Sequence, residues 1–294
     1  MLKFSAPTIE DAQWAKPIIA ASGYIGSDAS FANTFLWRNK YNTKICRFGD
    51  SLLKIYGDSE NVFYSMPLGG DLRAAVDEII ADAYSRGSLA IGGVTQQNKT
   101  FLEETYPDKF TFELDRDNCD YIYTQEALST LAGRKLQKKR NHISKFTRLY
   151  PDFSVLPITA ENMDDAISVA KEWCILHGTC SSSNGLDAEL CAIKTAFADF
   201  DELGMFGAVL YIEGKPVAMT AASEINSQVC DVHFEKALDF DGAYPMINRE
   251  FAKLLSRYTY LNREEDMGIE GLRKAKLSYY PQILLEKYVA RAVL

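Results

Sequence analysis

Only three histidines and three tryptophans occur in the chain, and no stretch approaches the roughly 18 uninterrupted apolar residues that a membrane span requires. The longest apolar runs, such as residues 206–212, have strand length. The first residues carry one charge and no apolar segment behind it, which predicts no secretory leader and a cytoplasmic location. Six cysteines (Cys46, Cys119, Cys174, Cys180, Cys191 and Cys230) are scattered without paired C-x-x-C spacing, so all are expected to be reduced. A Walker loop, a dinucleotide fingerprint and zinc-finger spacing are all missing, which argues against the nucleotide and metal sites those motifs build. No metal site is expected. Cys174, His177 and Cys180 lack a fourth ligand, and they belong to a helical pattern whose stripe of Ala166, Val169, Trp173 and Leu176 reads as core, closed by Gly178. No cysteine sits on a nucleophile turn, so a Cys–His hydrolase is not indicated.

What the chain does have is material for two packed domains: 294 residues, 47% apolar and 24% charged. The net charge of −8 means that any contact with nucleic acid must be local. Two stretches repeat one structural order. In the first half, strands at 52–56 and 62–66 form a hairpin around Gly57-Asp58, followed by the Gly69-Gly70 loop. A helix over 72–84 capped by Asp71 comes next, then a strand at 89–91, a helix around 98–105 and a strand at 110–114. In the second half, strands at 206–212, 216–223 and 229–236 form a meander, and a loop containing Gly242 follows. A helix over 244–258, a strand at 260–262, a helix around 269–277 and a last strand over 283–290 complete it.

Between residues 127 and 151 there is no acid, and Arg134, Lys135, Lys138, Lys139, Arg140, Lys145 and Arg148 supply seven positive charges. On a helical wheel Leu136, Ile143, Phe146 and Tyr150 share a face. Arg134, Lys138, Lys145 and Arg148 lie opposite as a solvated face, while Lys139 and Arg140 flank the apolar stripe and point inward. Those two suit the phosphates of a polyanion.

Strand meander, glycine loop, helix, strand, helix and strand is also the order of the GNAT-type N-acyltransferase fold. The run Leu131-Ala132-Gly133-Arg134-Lys135-Leu136-Gln137-Lys138-Lys139-Arg140 resembles the basic helix that opens the C-terminal domain of bacterial phosphatidylglycerol lysyltransferases. Gly271-Leu272-Arg273-Lys274-Ala275-Lys276, with Pro281 and Tyr288-Val289-Ala290, resembles the closing pattern of the same domain. Ser27-Asp28-Ala29-Ser30-Phe31-Ala32-Asn33-Thr34-Phe35-Leu36-Trp37 resembles the opening of that domain's soluble, uncharacterised relatives. The resemblance implies an α/β (α+β) chain of two tandem GNAT-like domains, 1–125 and 126–294. Each would be a mixed, mostly antiparallel sheet with splayed central strands flanked by helices, the first catalytically idle.

The implied activity is acyl transfer to an amine or hydroxyl. The family moves lysine from lysyl-tRNA to a phosphatidylglycerol hydroxyl, and related transferases build peptidoglycan cross-bridges. Ala275 and Ser278 stand where an aromatic and a second lysine are usual, and the CoA fingerprint is missing around Gly242. The donor is therefore open between aminoacyl-tRNA and acyl-CoA, each a co-substrate rather than a tightly bound cofactor. The acceptor is open among a small molecule, a peptide and a lipid headgroup. Under this resemblance Asp231, His233 and Glu235 alternate onto one face of the strand that borders the acyl arm, and His233 or Glu235 is expected as base. Tyr279 stands near the place of a leaving-group acid. Lys139, Arg140, Arg273, Lys276 and the Gly242 turn are expected to hold donor phosphate or tRNA, and Glu264 and Asp266 a cationic acyl group. The other reading is a non-catalytic protein with degenerate domains that docks RNA or another polyanion through the basic helix.

Overall fold

A computed structural model describes the chain except residues 1, 59–61, 88, 178–185 and 294, and the side chains of 186 and 187. The elements of the first half are α1 (Ala12–Ser22), α2 (Phe31–Leu36), α3 (Arg38–Tyr41), β1 (Lys44–Phe48), β2 (Ser51–Tyr56), β3 (Phe63–Ser65), α4 (Leu72–Arg86), β4 (Ala90–Val94), α5 (Gln96–Thr105) and β5 (Phe110–Leu114). Then come β6 (Asp120–Thr124), α6 (Gln125–Thr130), α7 (Gln137–Leu149), β7 (Phe153–Pro157), α8 (Met163–Leu176), α9 (Leu186–Ala198), β8 (Met205–Ile212), β9 (Lys215–Asn226) and β10 (Val229–Ala237). The chain closes with α10 (Ala243–Leu254), β11 (Tyr260–Asn262), α11 (Glu270–Leu277), β12 (Ile283–Leu285) and β13 (Tyr288–Ala292).

Two compact units result, and they are not the contiguous halves 1–125 and 126–294. One comprises Met1–Tyr121, Glu264–Lys274 and Ile283–Leu294, the other Ile122–Arg263 and Ala275–Gln282. The expected single strand over 283–290 is two strands, and the second of them, β13, lies in the first sheet, whose order is β1-β2-β3-β4-β13-β5. The physical reason is edge pairing. β13 pairs antiparallel on both sides, Tyr288 facing Val94 of β4 and Leu114 of β5, so neither strand is left with an open edge there.

In the first unit, Leu53, Tyr64, Val76, Ile79, Ile91, Leu102 and Ala290 build the core. Asp71 caps α4, its carboxylate accepting from the Ala74 amide at 3.0 Å. A buried polar network accounts for the Ser27-Asp28 motif. Lys287 Nζ reaches Asp28 Oδ1 at 2.9 Å and Asp120 Oδ1 at 2.8 Å. The Ser27 amide donates to Asp120 Oδ2 at 2.7 Å, and the Tyr24 hydroxyl donates to Asp28 Oδ1 at 3.0 Å. Because Lys287 directly precedes β13, this network anchors the strand that arrives last in sequence.

In the second unit β7, β8, β9 and β10 form an antiparallel meander, and β10 then pairs parallel with β11, which pairs antiparallel with β6. The basic helix starts at Gln137, and its apolar stripe is buried through Leu136, Ile143 and Phe146, while Arg134, Lys138, Lys145 and Arg148 are exposed. In α8 the buried stripe is Ala166, Val169, Ala170 and Cys174; Leu176, expected in the core, is 60% exposed. Leu176 follows Val169 by two turns, but it is the last residue of α8, at the end of the packed face. Gly178 and Cys180 fall outside the described residues, and the five described cysteines are free thiols.

Breaking a buried ion pair by removing one partner costs about 3–5 kcal/mol. Lys287→Met, which leaves Asp28 and Asp120 facing each other without their cation, is expected to lower urea-unfolding stability by about that much. A loss below about 1 kcal/mol, the range of a surface pair, would refute the anchoring role.

Candidate active site

The local backbone makes the site. β10 and β11 pair over only three positions, Val229↔Tyr260, Cys230↔Leu261 and Asp231↔Asn262. β11 ends there, whereas β10 continues to Ala237 against β9 alone. The sheet therefore opens beyond Asp231, as the splayed-strand expectation required. Glu235 lies on the continuing stretch of β10, in register with Thr220 of β9. Arg263 is the first residue after β11.

Five side chains of the second unit converge here. Arg263 Nη2 donates to Glu235 Oε1 at 2.9 Å, and Asn248 Nδ2, from the buried face of α10, donates to Glu235 Oε2 at 3.0 Å. The Arg263 guanidinium stands 5.1 Å from the centre of the Tyr279 ring, and Lys139 Nζ from α7 stands 3.9 Å from the centre of the same ring. Tyr279 is 5% exposed, packs edge-on against Tyr123, and its hydroxyl makes no hydrogen bond among the described residues. Burial pushes that hydroxyl well above its ordinary pKa, against the opposing charge of Arg263. Lys139 is driven the other way. Burial, reinforced by the positive charge of Arg263 and opposed by Glu235, brings its ammonium down to about 8.

The expected row of Asp231, His233 and Glu235 is interrupted. The β9–β10 register shifts between Val232 and Phe234, a bulge at His233, and strict alternation fails across it. His233 Nε2 lies 2.8 Å from Ser223 Oγ, and its Nδ1 lies 3.5 Å from Asp231 Oδ2, with its side chain 1% exposed. Glu235 instead belongs with Arg263, Asn248 and Lys139.

The remaining candidates sit elsewhere. The Arg140 guanidinium donates to the carbonyls of Leu131 and Gly133 and to Gln137 Oε1, so it ties down the loop before α7. Lys276 Nζ donates to the Arg263 carbonyl at 2.5 Å, and the Tyr123 hydroxyl donates to the Lys276 carbonyl at 2.7 Å, bracing the residue that carries the guanidinium. Gly242, at φ +88°, begins α10 against α7: a Cβ there would stand 2.8 Å from the His142 carbonyl oxygen and 3.0 Å from Phe146 Cβ.

In the first unit, Asp266 is fully buried. It accepts from Arg273 Nε and Nη2 at 2.8 Å each, from Arg116 Nη1 at 3.2 Å and from the Tyr121 hydroxyl. Burial raises its pKa, but the hydrogen bonds from Arg273, Tyr121 and the Gly268 amide outweigh this and hold it well below the usual carboxylate range. Arg273 also pairs with Asp117 at 2.7 Å, and Glu264 accepts from Asn33 Nδ2 at 3.1 Å. Arg263 and Asn248 were not among the sequence candidates. The signals that could have found them are an arginine directly following the short parallel strand, and an asparagine on the otherwise apolar face of α10 formed by Met246, Ile247 and Phe251.

Two mixed sheets with helices on their faces, the second opened between a parallel pair, define a tandem GNAT-like fold. The chain is similar to a tandem GNAT protein of the clavulanic acid biosynthesis pathway over 100% of this chain and 98% of that one, with 8% identity and a TM-score of 0.50. The model of the phosphatidylglycerol lysyltransferase C-terminal family matches residues 20–291, and the chain belongs to that family. A conserved protein of unknown function from Bacteroides thetaiotaomicron is 40% identical, with full coverage of both chains and a TM-score of 0.94. The C-terminal domain of a putative lysylphosphatidylglycerol synthetase from Agrobacterium fabrum shares 14% identity, with 96% of this chain and 91% of that chain covered and a TM-score of 0.71. The chain spans 62% of the length of the curated relative it matches, an uncharacterized protein of Mycoplasmoides gallisepticum, at 21% identity over 193 residues. The fold and family are acyltransferase-like, and no helix among the described residues is long and apolar enough to cross a membrane.

A lysine held down to about 8 loses its proton well before a solvated one. Between pH 8 and pH 10 the folded chain therefore binds fewer protons at Lys139 than the unfolded chain, and this group's contribution to stability rises with pH across that window. Carbon-13 NMR of labelled lysines is expected to show one resonance titrating near pH 8 that disappears in Lys139→Gln. A Lys139 signal titrating near 10.4, the unperturbed value, would contradict the geometry.

Proposed function

We propose that the second unit transfers an acyl or aminoacyl group from aminoacyl-tRNA or acyl-CoA to an amine or hydroxyl acceptor, by direct attack at the β10–β11 opening. The observation that carries this reading is the placement of Glu235, Arg263, Lys139 and Tyr279 where the two parallel strands part. Glu235 takes the proton from the attacking nitrogen or oxygen, its carboxylate aimed by Arg263 and Asn248. Backbone amides of β10 beyond Asp231, on the side where β11 no longer pairs, receive the oxyanion that forms on the acyl carbonyl. Tyr279 keeps its proton at neutral pH because burial raises its pKa, and it donates that proton to the departing oxygen or sulfur. Lys139 stands over the same ring as a cation for a negatively charged group of the substrate.

His233, held between Ser223 and Asp231, supports the strand at the bulge rather than reaching the substrate, so Glu235 is preferred as base. Arg140, Arg273 and Asp266 are engaged in ties within the protein and leave the donor to the residues of the opening.

Single-turnover assays with radiolabelled aminoacyl-tRNA and, separately, acyl-CoA test the reading. Glu235→Gln and Tyr279→Phe are expected to slow transfer by roughly 10²–10⁴-fold each, with donor affinity largely kept. Binding of charged tRNA with no turnover in any acceptor pool would instead support the non-catalytic docking protein.

A further inference from the structure

Charge in the β10–β11 opening does not balance. Lys139 and Arg263 bring two cations to one tyrosine ring, at 3.9 Å and 5.1 Å from its centre. Glu235 is the carboxylate whose charge reaches both, and it is already held by Arg263 Nη2 and Asn248 Nδ2. The other guanidinium nitrogen, Arg263 Nη1, is buried and has no hydrogen-bond partner among the described residues. Lys139 Nζ likewise makes no hydrogen bond or ion pair among them. A buried charged donor left unmatched is costly, and native proteins keep few of them outside places where a ligand completes the bonding.

We propose that this opening binds a terminal carboxylate carried by the acyl group or the acceptor, with its oxygens on Arg263 Nη1 and Lys139 Nζ. The assignment rests on the acyl-transfer reading of the site and names its substrate class. One negative charge matches the single surplus positive charge; the dianion of a phosphate monoester overshoots it. A phosphodiester is also a monoanion, but it carries substituents on both sides, whereas a terminal carboxylate presents both oxygens from one end to the two donors. A substrate ammonium would be a third cation beside two that already repel, so the end of the substrate that enters here is acidic rather than lysine-like. The charged and titratable groups facing Lys139 are Arg263 after β11, Glu235 on β10 and Tyr279 after α11. Of these, Lys139 is the one brought into the neutral-to-alkaline range, down to about 8.

Isothermal titration of the full chain with N-acetylglycine, its neutral amide N-acetylglycinamide, and dimethyl phosphate distinguishes the possibilities. N-acetylglycine is expected to bind at least about tenfold more tightly than either of the others. Its affinity is expected to fall about tenfold between pH 7 and pH 9, as Lys139 loses its charge, and this dependence should vanish in Lys139→Gln. Arg263→Lys, which keeps the charge and the partner for Glu235 but removes the second nitrogen, should weaken the acid about tenfold and leave the amide unchanged. Equal binding of acid and amide, preference for dimethyl phosphate, or an unaltered pH profile in Lys139→Gln overturns the carboxylate site. Acyl transfer by a protein indifferent to the carboxylate defeats this proposal alone. Selective carboxylate binding without any transfer defeats the reaction and keeps the site.

Discussion

The parallel contact between β10 and β11 is three residues long, and that shortness governs the second unit. A sheet stays closed as long as backbone donors and acceptors find partners across it. When β11 stops at Asn262 and β10 runs on to Ala237, one edge of β10 loses its strand partner in the middle of the sheet, where side chains rather than another strand must fill the gap. Those that do so come from separated stretches of chain: Lys139 from the basic helix, Asn248 from the helix after the glycine turn, Arg263 from the end of β11 and Tyr279 from beyond α11. None is a sequence neighbour of another, and only the opening brings them together.

The two acidic centres show how saturation separates structure from site. Asp266 receives two arginines, a tyrosine hydroxyl and a backbone amide, so its charge is fully answered and it acts as a knot within the first unit. Glu235 sits among the same residue types, yet the bonding around it is incomplete: Arg263 Nη1 and Asn248 Oδ1 are buried without partners among the described residues. An arginine that is fully paired on both edges has nothing left to offer a substrate, whereas one paired on a single edge is held in place and still has a donor to give. The same contrast distinguishes Lys139 from Arg140, which adjoin in sequence but differ in that Arg140 is consumed by loop carbonyls.

Much of this was legible beforehand, because it depends on local pattern. The strand at 260–262, the strand at 110–114, the Asp71 cap and the buried stripe of the basic helix all follow from periodicity and turn residues, and they stand where those signals put them. The tandem GNAT-like architecture also followed from element order together with the resemblance of three short stretches. What local pattern does not encode is which sheet a strand joins. β13 reads like any terminal strand, and its place between β4 and β5 is decided by unpaired edges far away in sequence. The bulge at His233 was equally hidden, since alternation of Asp231, His233 and Glu235 is the same in a bulged strand as in a regular one. Arg263 was hidden as well, since it stands beside three acids in sequence and its partner Glu235 is brought to it only by the fold.

The most direct measurement of the central claim is a crystal structure of the full chain with a non-hydrolysable aminoacyl or acyl donor analogue. Density for the acyl carbonyl in the gap between β10 and β11, within hydrogen-bonding reach of Glu235 and Tyr279, is the predicted result. The contrary result is β10 paired along its whole length, or the analogue seated away from that gap, for instance in the cleft of the first unit bounded by Trp14, Arg47, Gly69 and Gly70.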